Sequence, residues 1–149
     1  MNHQEYLMKA IKLSKKSIDD GSSPFGAVIV DQEGKIIGEG HNRVVLDNDP
    51  TAHAEVMAIR NACHNIGSFD LSGCTLYTSC EPCPMCLNAA KWANITEIYF
   101  AADRYDAENI GFRDRVFYDD DPIELHRIDL KSAVDIMQEW KNKPSKIEY

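Results

Sequence analysis

"TAHAEV" at 51–56 and "TSCEPCPMC" at 78–86 hold the residue types of a metal site and a proton carrier. The first puts His53 two residues before a carboxylate, Glu55. The second puts Cys83 and Cys86 in a Cys-x-x-Cys spacing flanked by prolines, with Cys80 just ahead. One imidazole and two thiolates suit zinc, and three protein ligands leave a tetrahedral ion with an open position. That opening marks a catalytic site, because water held there loses a proton near neutral pH. Glu55 lies near a ligand without needing to bind the ion, which suits a proton carrier. Hydrolytic removal of an amine needs these parts. A hydroxide attacks the carbon bearing the amine, and a carboxylate moves a proton to the ring nitrogen and then to the amine. A closed alternative has Cys80 as fourth ligand, making the site structural and Glu55 an ordinary helix-capping acid. A bare Cys-x-x-Cys also fits a redox pair or half a zinc knuckle.

The elements that must bring these stretches together are legible as hydrophobic patterns. Residues 3–20 read as an amphipathic helix with Leu7, Ile11, Ser14 and Ile18 on one stripe. "AVIVD" (27–31) and "KIIGEG" (35–40) form a hairpin across "QEG". A helix start follows, with Asp49 and Thr51 as caps and Pro50 near the first turn, running to about Ile66. "GCTLYTS" (73–79) is a strand, a helix begins near Pro84, and "TEIYFAAD" (96–103) is another strand. The stretch 104–128 has no clear period, and 130–143 is a last amphipathic helix. Strands alternating with helices after a hairpin indicate an α/β layered domain with a mixed sheet. Two helices that each follow a strand open their N-termini on one sheet edge, where α/β folds bind ligands.

At 149 residues the chain is most simply one domain, 1–149, able to bury a core without disulfides. With 24 acidic and 16 basic residues the net charge is −8, which disfavours a grip on nucleic-acid phosphates. No run approaches the ~18 apolar residues of a membrane span, and the N-terminus lacks the pattern of a signal peptide. Five cysteines, an odd number, fit a reducing cytoplasm better than a disulfide framework.

His-x-Glu and Pro-Cys-x-x-Cys, with 30 residues from His53 to Cys83, together form the signature of zinc-dependent nucleobase deaminases. "NDPTAHAEVMAIRNAC" and "LYTSCEPCPMC" resemble the cytidine and deoxycytidylate deaminase superfamily, and within it the small bacterial guanine deaminases. "PFGAVIV", "GFRD" and a terminal Tyr after a Lys-rich helix extend the likeness along the chain. The resemblance implies a three-layer α/β/α sandwich with a five-stranded mixed sheet. It implies one zinc per subunit on His53, Cys83 and Cys86, with Glu55 as proton shuttle. Asp114 matches an acid directed at the purine amine, acting as a second proton relay, and Asn42 matches an asparagine that hydrogen-bonds the ring. Tyr149 matches a terminal tyrosine that closes the pocket. Phe25, Trp92 and Phe112 are by type able to stack on a planar ring, core packing being the commoner role for any one of them. With Ala54 they complete the candidate substrate-binding set. The resemblance also implies a homodimer in which the segment from about 130 to 149 crosses to the partner, so that Asp114 and Tyr149 serve different sites.

The activity so implied is hydrolysis of guanine to xanthine and ammonia. Guanosine, cytosine and ammeline offer a comparable amine on an electron-poor ring. A tRNA adenosine substrate would need a basic groove that the acidic balance argues against. A zinc-stabilised interaction domain is the non-enzymatic alternative. Residues 115–128 depart from the pattern of the guanine deaminases and are shorter than expected there.

Overall fold

The computed structural model describes residues 1–119 and 123–149. Helix α1 (His3–Asp19) opens the chain, capped by Asn2 and Glu5 in a reciprocal capping box. Strands β1 (Gly26–Val30) and β2 (Ile36–His41) form the hairpin, and a short helix α2 (Val44–Asp47) precedes α3 (Ala54–Ile66). Then follow β3 (Thr75–Cys80), α4 (Pro84–Trp92), β4 (Glu97–Ala102) and α5 (Arg104–Asn109). A 3-10 turn at Asp114–Phe117 and helix α6 (Lys131–Lys141) complete the elements.

The sheet order is β2-β1-β3-β4. β1 runs antiparallel to both β2 and β3, and β3 is parallel to β4. Consequently β2, β3 and β4 all point the same way, and α3, α4 and α5 start from one edge. The central strand β1 is buried throughout, and its alternate side chains serve two cores. Ala27 and Ile29 face the side of α3 and α4, with Ala54, Ala58, Ala62, Leu76 and Ala90. Val28 and Val30 face the side of α1, with Tyr6 and Tyr77. This is the expected α/β/α layering, and no helix among the described residues is long and apolar enough to cross a membrane.

Three differences from expectation have local causes. The sheet has four strands among the described residues, not five. The apolar residues Ile123, Leu125 and Ile128 beyond β4 are at least 80% exposed and, among the described residues, pair with no strand. On α1 the buried stripe is Tyr6, Ala10 and Ser17, whereas Ile18 is exposed. Small residues face the sheet there because the backbone of Gly26 lies directly against Ala10 and Ser14. Helix α3 begins at Ala54 rather than at Thr51. Asp49 instead closes the preceding turn, accepting from the Thr51 amide at 2.9 Å and its hydroxyl at 2.7 Å. Within 115–128, residues 120–122 lie outside the described residues.

Candidate active site

His53 is the N-cap of α3 and Cys83 the N-cap of α4, and neither side chain caps its own helix. Both are therefore free to turn to a common point off the sheet edge. Glu55 and Cys86 lie within the first turns of the two helices. Pro84 suits the first helical position, where no amide hydrogen is needed. Glycines at 38 and 40 let α3 lie close on β2: a Cβ on Gly40 would fall 2.5 Å from the Ala54 carbonyl. The alanines of α3 complete this close approach, which fixes where His53 and Glu55 stand.

His53 Nδ1 lies 3.5 Å from Cys83 Sγ and 3.4 Å from Cys86 Sγ. Zinc bonds of ordinary length at a tetrahedral angle require an N···S separation of about 3.6 Å. The three donor atoms lie within 4.8 Å of one another, and they are the only such group among the described residues. The site fits zinc in both chemistry and distance. Cys80 is not a fourth ligand: its thiol points to the Asp103 carbonyl at 3.5 Å. Burial, with Glu55 and Asp114 nearby, pushes that thiol up to about 12. The donor set is open.

The titratable groups of the cluster act strongly on one another. The Cys86 thiol beside Cys83 holds Cys83 far below the ordinary thiol range, with His53 assisting. Cys86 is correspondingly pushed up by its charged neighbour and by burial. His53 is raised by its hydrogen bond to Cys83. Burial raises Glu55 above the usual carboxylate range, against the lowering effect of hydrogen bonds from Cys86 and Thr78. The Thr78 hydroxyl lies 3.0 Å from Glu55 Oε1 and 3.0 Å from the Cys80 carbonyl.

A cavity of about 480 Å³ opens over this cluster. His53, Glu55 and Cys83 form its floor with Ala54, and Phe25, Asn42, Phe112 and Asp114 contribute its walls. Phe25 and Phe112 meet edge to face at 4.9 Å. The buried Asn42 accepts through Oδ1 from the Val44 amide at 3.0 Å and from the Ser22 hydroxyl at 3.2 Å. Its amide nitrogen is left to meet the cavity. Asp114 starts the 3-10 turn.

Two expected residues lie elsewhere. Trp92 sits at the far end of α4, 68% exposed, because a nine-residue helix carries it roughly 13 Å from the metal end. Tyr149 packs near Trp92 and Phe69, at 5.9 and 6.0 Å, and does not line the cavity of its own chain. Residues that the sequence did not single out also line the cavity, among them Glu81, Met85, Arg113 and Phe117. Only Glu81 carried a signal, as the acid just before Pro-Cys.

The chain is similar to known proteins in sequence and in fold. The chain is 45% identical to guanine deaminase of Bacillus subtilis, with all of both chains covered. The X-ray structure of that guanine deaminase superposes with a TM-score of 0.94, covering 100% of this chain and 99% of that one. The tRNA-specific adenosine deaminase of Haemophilus influenzae is 39% identical, over 88% of this chain and 75% of its own. The cytidine and deoxycytidylate deaminase zinc-binding region matches residues 1–102, which hold His53, Glu55, Cys83 and Cys86. On this match, the open zinc-compatible cluster and the shared fold, the chain belongs to the cytidine and deoxycytidylate deaminase family.

Proposed function

We propose that this protein hydrolyses guanine to xanthine and ammonia. The observation that carries the reading is Asp114 in one cavity with Glu55 and the three-donor cluster. It stands in a chain similar over its full length to a guanine deaminase. Zinc, when bound by His53, Cys83 and Cys86, supplies the Lewis acid that makes water nucleophilic at neutral pH. The rest falls to this chain's side chains. Asn42 donates its amide N–H to an acceptor on the purine ring and sets which edge faces the floor. Phe25 and Phe112 frame the ring plane. Glu55 takes the proton from the attacking water and passes it to the ring nitrogen beside C2. Asp114 receives the C2 amine and relays the proton with which it leaves as ammonia.

The test is ammonia release by zinc-loaded protein from guanine, guanosine, cytosine, ammeline, adenine and a tRNA anticodon stem-loop. Guanine turned over ahead of the rest is the expected result. Activity confined to another ring overturns the substrate while keeping the zinc chemistry. Zinc binding with no turnover on the panel returns the site to a structural role.

Residues 1–119 carry both cores and the metal cluster, and we read the chain as one domain with a C-terminal arm for a second copy. Helix α6 exposes Val134, Ile136, Met137 and Trp140, and an 11-residue helix with no packing is marginal in water. Among the described residues β4 has a free edge, and Leu87, Ile98 and Phe100 form an apolar groove beside it. Ile123 and Leu125, which share one face of an extended segment, and Ile128 supply exposed apolar side chains to such an edge. A homodimer that exchanges arms covers both surfaces and brings the partner's terminal segment to each cavity. Mixing Glu55→Gln protein with protein lacking 130–149 tests this, since an arm acting in trans restores turnover and one acting in cis does not. Five free cysteines and a thiolate metal site suit the reducing cytoplasm as its place of work.

A further inference from the structure

Glu81, Arg104 and Tyr118 form a cluster that the reaction above does not use. Glu81 follows β3 and Arg104 opens α5 after β4, and parallel pairing sets the two strand ends side by side. The Glu81 amide donates to the Ala102 carbonyl at 2.8 Å. Arg104 grips the Glu81 carboxylate with a fork, Nη2 at 2.7 Å from Oε2 and Nε at 3.1 Å from Oε1. The Arg104 backbone N–H adds a third bond to Oε1 at 3.0 Å. The guanidinium also lies 3.9 Å from the centroid of the Tyr118 ring. The Tyr118 hydroxyl donates to the Pro82 carbonyl at 2.9 Å, one residue before the ligand Cys83. Tyr118 caps the 3-10 turn that begins at Asp114.

We propose that Arg104 is a positioning residue that locks the Asp114 segment to the Cys83 turn, and so sets Asp114 relative to Glu55. The proposal rests on the reading of Asp114 as the second proton relay. Two rigid contacts meet in one planar group: a fork onto the ligand turn and a stack onto the ring that ends the Asp114 turn. Lysine supplies charge without the fork or the plane, so it cannot replace both contacts. Among the described residues, the remaining ion pair on the 3-10 turn is Arg115 with Glu108 at 3.2 Å, which ties it to α5 and not to the ligand turn.

The experiment compares Arg104→Gln, Arg104→Lys and Tyr118→Phe with wild type in zinc-loaded protein. It measures zinc content, amide hydrogen exchange over residues 112–119, and kcat and KM for guanine. Exchange in 112–119 is expected to quicken in Arg104→Gln while zinc content holds. In the same variant kcat is expected to fall about tenfold with KM within about twofold, the pattern of a misplaced reacting group. Lysine should not restore it. In an Asp114→Asn background, Arg104→Gln should lower kcat by less than about twofold more, because residues acting as one unit are not additive. Unchanged exchange, rescue by lysine or full additivity overturns the proposal. Tyr118→Phe removes a single hydroxyl and gives the same exchange reading if Arg104→Gln folds poorly. A wild type inert on guanine defeats the substrate reading, while the exchange result still decides the role of Arg104.

Discussion

At Glu55 the carboxyl shares a hydroxyl with the backbone, and the direction of donation depends on whether the acid holds its proton. When Glu55 is charged, Thr78 donates to it. When it is protonated, Glu55 donates to Thr78, which turns to the Cys80 carbonyl 3.0 Å away. Both states are satisfied in a site where an unpaired buried polar group costs about 1–3 kcal/mol. Glu55→Gln should therefore keep its zinc yet lose turnover by about 10²–10⁴-fold, measured beside metal content. Thr78→Val removes the partner of both states, and kcat should fall about ten- to a hundredfold with zinc retained. Glu81 offers a second test at this scale, in stability. Its carboxyl is held below the usual range by the hydrogen bonds from Arg104. A depressed folded value stabilises above the unfolded value of about 4.3 and is lost as pH falls through the folded one. The Tm gap between wild type and Arg104→Gln should thus be full at pH 7 and shrink below about pH 4. The gap at neutral pH should be small, because solvent screens the pair.

Helices α3 and α4 start from the ends of strands that are not neighbours, since β1 lies between β2 and β3. β1 is antiparallel to both, which restores the common direction and sets both N-caps on one edge. The distance between them is then governed by how close each helix lies to the sheet. For α3 that closeness depends on Gly40, where an added Cβ would meet the Ala54 carbonyl and the Ala58 amide at 2.5 Å. Both atoms are backbone, so the helix must move rather than a side chain. Gly40→Ala should cost about 1–3 kcal/mol of stability, as overpacking does. It should also weaken zinc binding, because His53 and Glu55 travel with α3. Thermal unfolding and a competitive zinc titration check the two effects separately.

At the scale of the whole molecule, two cores form from the sheet, α1, α3 and α4, with the metal cluster at one rim. Neither core needs the ion to close. Chelation should abolish guanine turnover and lower Tm by the linked binding free energy, while far-UV circular dichroism keeps its folded shape. A zinc-nucleated fold would instead lose its helical signal on chelation. Net charge of −8 and apolar arm residues act at this scale too. Charge of one sign favours solubility, and in the proposed arm exchange the apolar residues give association a defined surface.

Local spacing made His53, Glu55, Cys83 and Cys86 readable, because ligands within one helical turn have a geometry that the chain itself imposes. The strand and helix order was readable for the same reason, through periods of two and of 3.6. Asn42 and Asp114 came from resemblance, since a lone turn asparagine and one acid among charges carry no period. The start of α3 was read early because Asp49, Pro50 and Thr51 have the grammar of a cap but close a turn of their own. Trp92 was drawn into the pocket by its type, while helix length put it at the far end of α4. Glu81 and Arg104 lie 23 residues apart and meet only because β3 and β4 pair in parallel. The sequence by itself determined the metal donors and the α/β class and pointed to Glu55 as the proposed proton carrier, all local in origin. Tertiary structure alone decided that Cys80 stands outside the metal shell, that Arg104 joins the ligand turn to Asp114, and that Tyr149 leaves its own cavity. Each of those depends on contacts between distant segments, and such contacts leave no period in the chain.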